Sequence, residues 1–201
     1  MTFFKITETF YDPIKNDEIL DFMESKRAEI EAISGLEKVR IIETDEGKST
    51  TVGIYEDEAS ASEAESTVQS LLGDLAPFLV APPNRKGGSL AWSFGGGNSD
   101  NDRTAFFKIT ETRYDPEKKD DIDAFMESKR PEIEAISGLE AVRVIDTDEG
   151  KSTLFARYKD EASASAAEST VQSLLGDLAP LMTAPPNRKG GPLTWLLDQT
   201  D

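Results

Sequence analysis

The sequence predicts an α+β fold: two ferredoxin-like βαββαβ domains in tandem. Three observations carry this expectation. The chain repeats itself. Phe3-Phe4-Lys5-Ile6-Thr7-Glu8-Thr9 returns 103 positions later as Phe106-Phe107-Lys108-Ile109-Thr110-Glu111-Thr112, and the same offset holds without a gap to the end. Roughly three quarters of aligned positions are identical, and a period of this length fits one small domain rather than a solenoid unit. Within each copy, stretches of period two and of period 3.6 follow the order strand, helix, strand, strand, helix, strand, which is the split βαβ plan. Between the copies lies Gly95-Gly96-Gly97-Asn98-Ser99-Asp100-Asn101-Asp102, a polar run with the composition of a flexible linker. The domains are therefore expected at 1–94 and 106–201, joined by a linker at 95–105.

Each element has its own reason. Phe3 to Phe10 alternates aromatic and β-branched residues with polar ones and reads as a strand, ended by Asp12-Pro13. Ile19, Phe22, Met23, Lys26, Ile30 and Ile33 recur at spacings of three and four, the apolar stripe of a helix, which Ser34-Gly35 stops. Pro131 stands where the first copy has Ala28 and predicts a kink or break there in both copies. Leu36–Thr44 and Thr50–Tyr55 read as a hairpin around Asp45-Glu46-Gly47-Lys48. A second helix starts in Asp57-Glu58-Ala59-Ser60 and buries Ala61, Ala64, Val68, Leu71, Leu72 and Leu75. A loop through Pro82-Pro83-Asn84-Arg85-Lys86-Gly87-Gly88 is then expected to lead to a last strand, Leu90–Phe94, with Trp92 and Trp195 as core aromatics.

Composition bounds the chemistry. Of 201 residues, 39 are acidic and 22 basic, a net charge of −17 that argues against nucleic acid and anionic membranes as partners. There is no Cys and no His, so thiolate chemistry, zinc–thiolate sites and an imidazole base are excluded. Neither a cofactor nor a metal is expected. The first residues lack the basic start and apolar run of a signal peptide, and no stretch is long enough to span a membrane, so a cytoplasmic protein is expected.

The candidate sites are few. Gly47-Lys48-Ser49-Thr50 ends like a phosphate-binding loop, but Ile42 stands where that motif needs its first Gly, and a strand follows instead of a helix. A hairpin turn explains it. Asn84-Arg85-Lys86-Gly87-Gly88 and Asn187-Arg188-Lys189-Gly190-Gly191 are basic segments in an acidic chain, so Arg85, Lys86, Arg188 and Lys189 are candidates for an anion-binding loop. The competing reading is a solvated turn or a salt-bridge partner for nearby acids. Arg40, Tyr55, Arg143 and Tyr158 are polar residues on strands and, with Arg157, are candidates for a ligand site, since an Arg can anchor an acidic ligand. Ion pairing or an edge-strand charge is the alternative. The copies differ most in the third strand, where Thr51-Val52-Gly53-Ile54 becomes Leu154-Phe155-Ala156-Arg157. If the Ile54/Arg157 position is buried, the two halves should hold unlike cavities.

Three motifs carry a resemblance: Tyr11-Asp12-Pro13-Ile14-Lys15 before the first helix, Ile33-Ser34-Gly35-Leu36 leading into the second strand, and Tyr55-Glu56-Asp57-Glu58-Ala59-Ser60 before the second helix. They resemble the dimeric α+β barrel superfamily, and within it the antibiotic-biosynthesis-monooxygenase-like domain, over nearly all of each copy. The resemblance implies that two such domains pair their sheets into a barrel, usually as a homodimer. A fused pair would form that barrel within one monomeric chain. It further implies oxygenase-like chemistry on a polycyclic or quinol substrate without a metal. No catalytic residue carries over position by position, and the absence of His contradicts the haem-dependent branches. The expected function is thus binding of a small-molecule ligand, or a non-catalytic role. The alternative is a cofactor-independent monooxygenase.

Overall fold

The computed structural model describes residues 1–96 and 104–200. The first repeat contains β1 (Phe3–Tyr11), α1 (Asn16–Ser25), α2 (Arg27–Glu31), β2 (Leu36–Asp45), β3 (Lys48–Tyr55), α3 (Glu58–Glu63), α4 (Glu65–Leu75) and β4 (Leu79–Gly95). The second contains β5 (Phe106–Arg113), α5 (Lys119–Ser128), α6 (Arg130–Glu134), β6 (Leu139–Asp148), β7 (Lys151–Tyr158), α7 (Glu161–Ala166), α8 (Glu168–Leu178) and β8 (Asn187–Asp198). The expected order is present twice, with each helix in two pieces. The first break falls at Lys26 and at Lys129, and Pro131 lies in the first turn of α6, where its missing N–H costs nothing. The break before α4 and before α8 is marked by neither Pro nor Gly. Asp57 and Asp160 cap α3 and α7 by accepting from the Ser60 and Ser163 backbone N–H at 2.8 and 2.7 Å.

The Gly47 segment is the expected hairpin turn. Its φ is +70°, and a Cβ there would meet the Tyr11 carbonyl oxygen at 2.5 Å, so only glycine fits. The last strand corrects the expectation. β4 pairs antiparallel with β1 from Tyr11↔Leu79 to Phe3↔Ser89, so Arg85 and Lys86 lie in a strand and not in a loop. In the second copy Arg188 and Lys189 likewise lie in β8, paired with Thr110 and Ile109 of β5. Pro82-Pro83 sits at a register shift opposite Glu8 and Phe10, where a bulge spares the ladder the missing N–H. Gly87 and Gly190 serve close approach between strands. A Cβ on either would lie 2.8 Å from the Phe4 carbonyl or 2.3 Å from the Phe107 carbonyl. Proline and glycine imitated a loop here because they answer strand constraints with the same residues.

The chain divides into two compact units, Met1–Ser89 with Leu193–Asp201, and Leu90–Pro192. β4 and β8 therefore each run from one unit into the other, so the units do not follow the boundaries of the repeats. Residues 97–103 of the expected linker lie outside the described residues. In the first unit the end of β8 pairs with β2 from Ile42↔Leu193 to Lys38↔Asp198. Trp195 fastens it: the Arg27 guanidinium lies 4.6 Å from the indole centroid, and Nε1 donates to Glu24 Oε2 at 3.0 Å. In the second unit Arg130 stacks on Trp92 at 4.6 Å, and Trp92 Nε1 donates to Glu127 Oε2 at 2.9 Å. Each stacked pair contributes roughly 0.5–1 kcal/mol. The tryptophans are buried, as expected, and each also clamps a charged pair of its own unit. Within the first unit the strands follow one another in the order β4-β1-β3-β2-β8, and within the second in the order β8-β5-β7-β6.

Candidate functional site

Residues opposed across an antiparallel ladder share a face. In the first unit Phe3↔Tyr55, Lys5↔Gly53, Thr7↔Thr51 and Thr9↔Ser49 are opposed and turn toward the helices. Between this face and the helical stripe lies a cavity of about 110 Å³. The apolar residues of the first helical stripe, Ile19 through Ile33, line one side together with Val68, Leu71, Leu72 and Leu75 of α4. The second unit holds the twin cavity, about 100 Å³, with Lys108, Thr110, Thr112, Ser152, Leu154, Ala156 and Tyr158 on its strand side.

The polar groups fall into two sets. Thr9 Oγ1 and Ser49 Oγ share a hydrogen bond of 2.7 Å, as Thr112 and Ser152 do at 2.8 Å. Among the described residues, the hydroxyls of Thr7, Thr51 and Tyr55 have no protein hydrogen-bond partner, and neither do those of Thr110 and Tyr158. Tyr55 and Tyr158 are 3% and 2% exposed. Burial pushes both phenols above their usual range, a shift that Arg85 or Arg188 opposes and Glu65 or Glu168 reinforces. At neutral pH they are donors, not bases. Arg85 forks onto Glu65, with Nη1 on Oε1 and Nη2 on Oε2 at 3.2 Å, while its buried Nε has no partner. Arg188 forks onto Glu168 in the same way, and its Nε is also unpartnered. The hydrogen bonds from Arg85, opposed by burial, hold the Glu65 carboxyl down at about 2, and Arg188 lowers Glu168 by the same means.

The structure brings together four of the sequence candidates, Tyr55 with Arg85 and Tyr158 with Arg188. It leaves the others outside these two cavities. Arg40 is opposed to Val52, on the sheet face turned away from the helices. Arg143 donates to the Phe94 and Val142 carbonyls at 2.8 and 2.9 Å. Arg157 is 3% exposed, and its Nη1 lies 3.1 Å from Glu140 Oε2, close enough for an ion pair though off the hydrogen-bonding direction. Lys86 and Lys189 are opposed to Ile6 and Ile109, and burial lowers the pKa of Lys189. The basic segments therefore divide by strand parity, Arg85 and Arg188 facing the two sheet-to-helix cavities, while Lys189 with Lys108 and Arg188 lines a shallower cleft of about 400 Å³. Ile54 and Arg157 are both buried, yet neither lines a cavity, so this exchange does not make the cavities differ. The neighbouring exchanges Thr51/Leu154 and Gly53/Ala156 do. Sequence reasoning passed over Thr51, Thr9 and Ser49, although period-two parity from Tyr55 points to the same face.

Among the described residues no group of three or more acidic side chains is placed to hold a metal ion, and no helix is long and apolar enough to cross a membrane.

No protein-family profile matches the sequence, and no curated protein matches it. Solved structures do match in fold. One from Fusobacterium nucleatum, which carries the provisional name of monooxygenase, superposes with a TM-score of 0.78 at 14% identity, over 98% of this chain and 94% of that one. Another provisionally named monooxygenase, from Lactobacillus acidophilus, gives 0.75 at 9% identity over 98% and 96%. An anthrone oxidase-like protein gives 0.73 at 9% identity over 100% and 94%. The likeness is one of fold, ferredoxin-like α+β. This chain carries the βαββαβ unit twice, as the repeat implied.

Proposed function

We propose that the protein binds a small, largely apolar molecule bearing one hydroxyl or carbonyl group, in the sheet-to-helix cavity of each repeat, and that it does so as a single chain without catalysing a reaction. One observation carries the reading. Each cavity is lined mostly by aliphatic and aromatic side chains, with two lysines, and offers the hydroxyl of a largely buried tyrosine, without a protein partner, beside an arginine. A donor in such an apolar setting is worth most when a ligand oxygen meets it. Size narrows the ligand class. At about 100 and 110 Å³ the cavities lie below the range of roughly 300–1,000 Å³ typical of drug-sized ligands, and near that of a site for one ring.

Thermal shift tests the reading. Phenol at saturating concentration raises Tm in the wild type, and the double variant Tyr55→Phe/Tyr158→Phe loses most of that rise. An unchanged Tm in the wild type overturns it.

A cofactor-independent monooxygenase is the second reading, favoured by the fold shared with structures bearing that name. The tyrosine and arginine would serve as donors to a developing oxyanion. The lining speaks against it. It contains no carboxylate and no His, the side chains most often used as general base near neutral pH. A polycyclic substrate would also need the helices to move outward. Oxygen consumption with a quinol, above the rate of autoxidation and lost in the same double variant, would establish this reading over the first.

A further inference from the structure

We infer that the two cavities are unequal sites: the first prefers a ligand with a hydrogen-bonding oxygen within reach of Thr51, the second the apolar counterpart of the same shape. The inference rests on the binding reading above and adds the residue that sets specificity.

The argument follows one rung of each ladder. In the first unit the rung reads Ile41–Thr51–Thr7–Arg85, and in the second Val144–Leu154–Thr110–Arg188. Three of the four places keep their chemical character. At the remaining place, a hydroxyl without a protein partner in one cavity is an isobutyl group in the other. On the next rung Gly53 is opposed to Lys5, and Ala156 to Lys108. A Cβ at Gly53 would lie 3.2 Å from Tyr55 Cε2 and 3.6 Å from its hydroxyl oxygen, so Gly53 leaves open the space into which Ala156 puts a methyl group. Both exchanges act in the same direction. The first cavity gains a donor–acceptor and room beside the tyrosine. The second gains apolar surface and loses that room. A ligand oxygen at the level of Thr51 finds a partner in the first cavity and is stranded against Leu154 in the second. An apolar ligand strips water from the Thr51 hydroxyl without replacing it.

The test titrates phenol and toluene, which differ by hydroxyl against methyl, into the full chain with labelled Ile, Leu and Val methyl groups. Val39 and Ile41 report on the first cavity, Val142 and Val144 on the second. We expect phenol to bind the first cavity roughly two- to tenfold more tightly than the second, as one hydrogen bond allows, and toluene to reverse the order. Thr51→Val, which keeps the shape and removes the hydroxyl, abolishes the phenol preference. The exchange Thr51→Leu/Leu154→Thr inverts it, using side chains this rung already carries. Equal phenol affinities in both cavities overturn the inference and leave the binding reading standing. A lack of response to either probe in both cavities overturns the two together.

Discussion

At one end of the second and third strands, the two units solve the same problem with different residues. In the first unit Lys38 of β2 is opposed to Ile54 of β3, and Lys38 Nζ lies 3.0 Å from Asp198 with both side chains largely buried, 12% and 9% exposed. In the second unit Ala141 is opposed to Arg157, and Arg157 pairs with Glu140. The cation has moved one strand across the ladder. The bulge explains how the second pairing is reached: Glu140 is the extra residue between Leu139↔Tyr158 and Ala141↔Arg157, and a bulge re-aims its side chain. Ile54 against Arg157 therefore does not record a charge gained by one half. It is one side of a paired exchange whose other side is Lys38 against Ala141.

The comparison breaks most sharply at Lys38. Lys38→Ala leaves the Asp198 carboxylate buried without its cation and is expected to cost about 3 kcal/mol in chemical denaturation. Ile54→Arg alone sets two cations opposite one another and destabilises by a similar order. Combined, and with Asp198→Gly to match Gly95 at the equivalent position, the substitutions recreate the arrangement of the second unit, with Glu37 at the matching bulge, and should recover a substantial part of the loss. A combined variant as unstable as the sum of the singles would mean that the exchange is not compensatory.

This pairing was the part of the molecule least legible in the sequence. The repeat, the order of elements, the helix break at Pro131 and the hairpin at Gly47 all followed from local chemistry, because local chemistry causes them. The helical stripe from Ile19 to Ile33 was also read correctly as apolar, but its partner was not. Whether such a stripe meets a filled core or a cavity depends on the volumes opposite it, and those include Gly53 and Thr51, one strand pair away. Ile54 looked like the functional difference because its chemistry changed most. Thr51 changed less but lines the cavity, because parity places it on that side. For Arg85 the proline and glycine neighbours suggested a loop, and only the register with Thr7 shows why the arginine reaches the cavity.

The forked pairs Arg85–Glu65 and Arg188–Glu168 are common to both units and supply a control. Arg85 hydrogen bonds, against burial, pull the Glu65 pKa from 4.5 to about 2, and Glu168 is lowered likewise. A carboxyl depressed on folding adds stability above its unfolded pKa and loses it as pH falls through the folded value. The contribution is thus whole above about pH 4.5 and declines toward pH 2. Both glutamates are more than a third exposed, which limits each pair to about 1 kcal/mol or less. Glu65→Gln and Glu168→Gln should each flatten the fall of the urea midpoint between pH 5 and pH 2, and by similar amounts. A marked inequality would mean that the units differ on the cavity side beyond Thr51 and Gly53.

The smallest expected effect isolates the second of those positions. Gly53→Ala replaces the most flexible residue in a strand and restricts the unfolded chain, which favours folding by roughly 0.4–1 kcal/mol. Against that, the new methyl group meets the Tyr55 ring at 3.2 Å, so the buried ring must give by a few tenths of an ångström. The two effects nearly cancel, and a change in Tm of only a few degrees is expected. The ring position should respond more than the stability. In the variant, Tyr55 takes the setting Tyr158 has beside Ala156, and its ring resonances should move toward those of Tyr158, while Ala156→Gly moves Tyr158 the other way. If the rings stay where they are while Tm falls by an amount typical of an overpacked core, the strand backbone has yielded instead of the ring, and the room beside Tyr55 does not set its orientation.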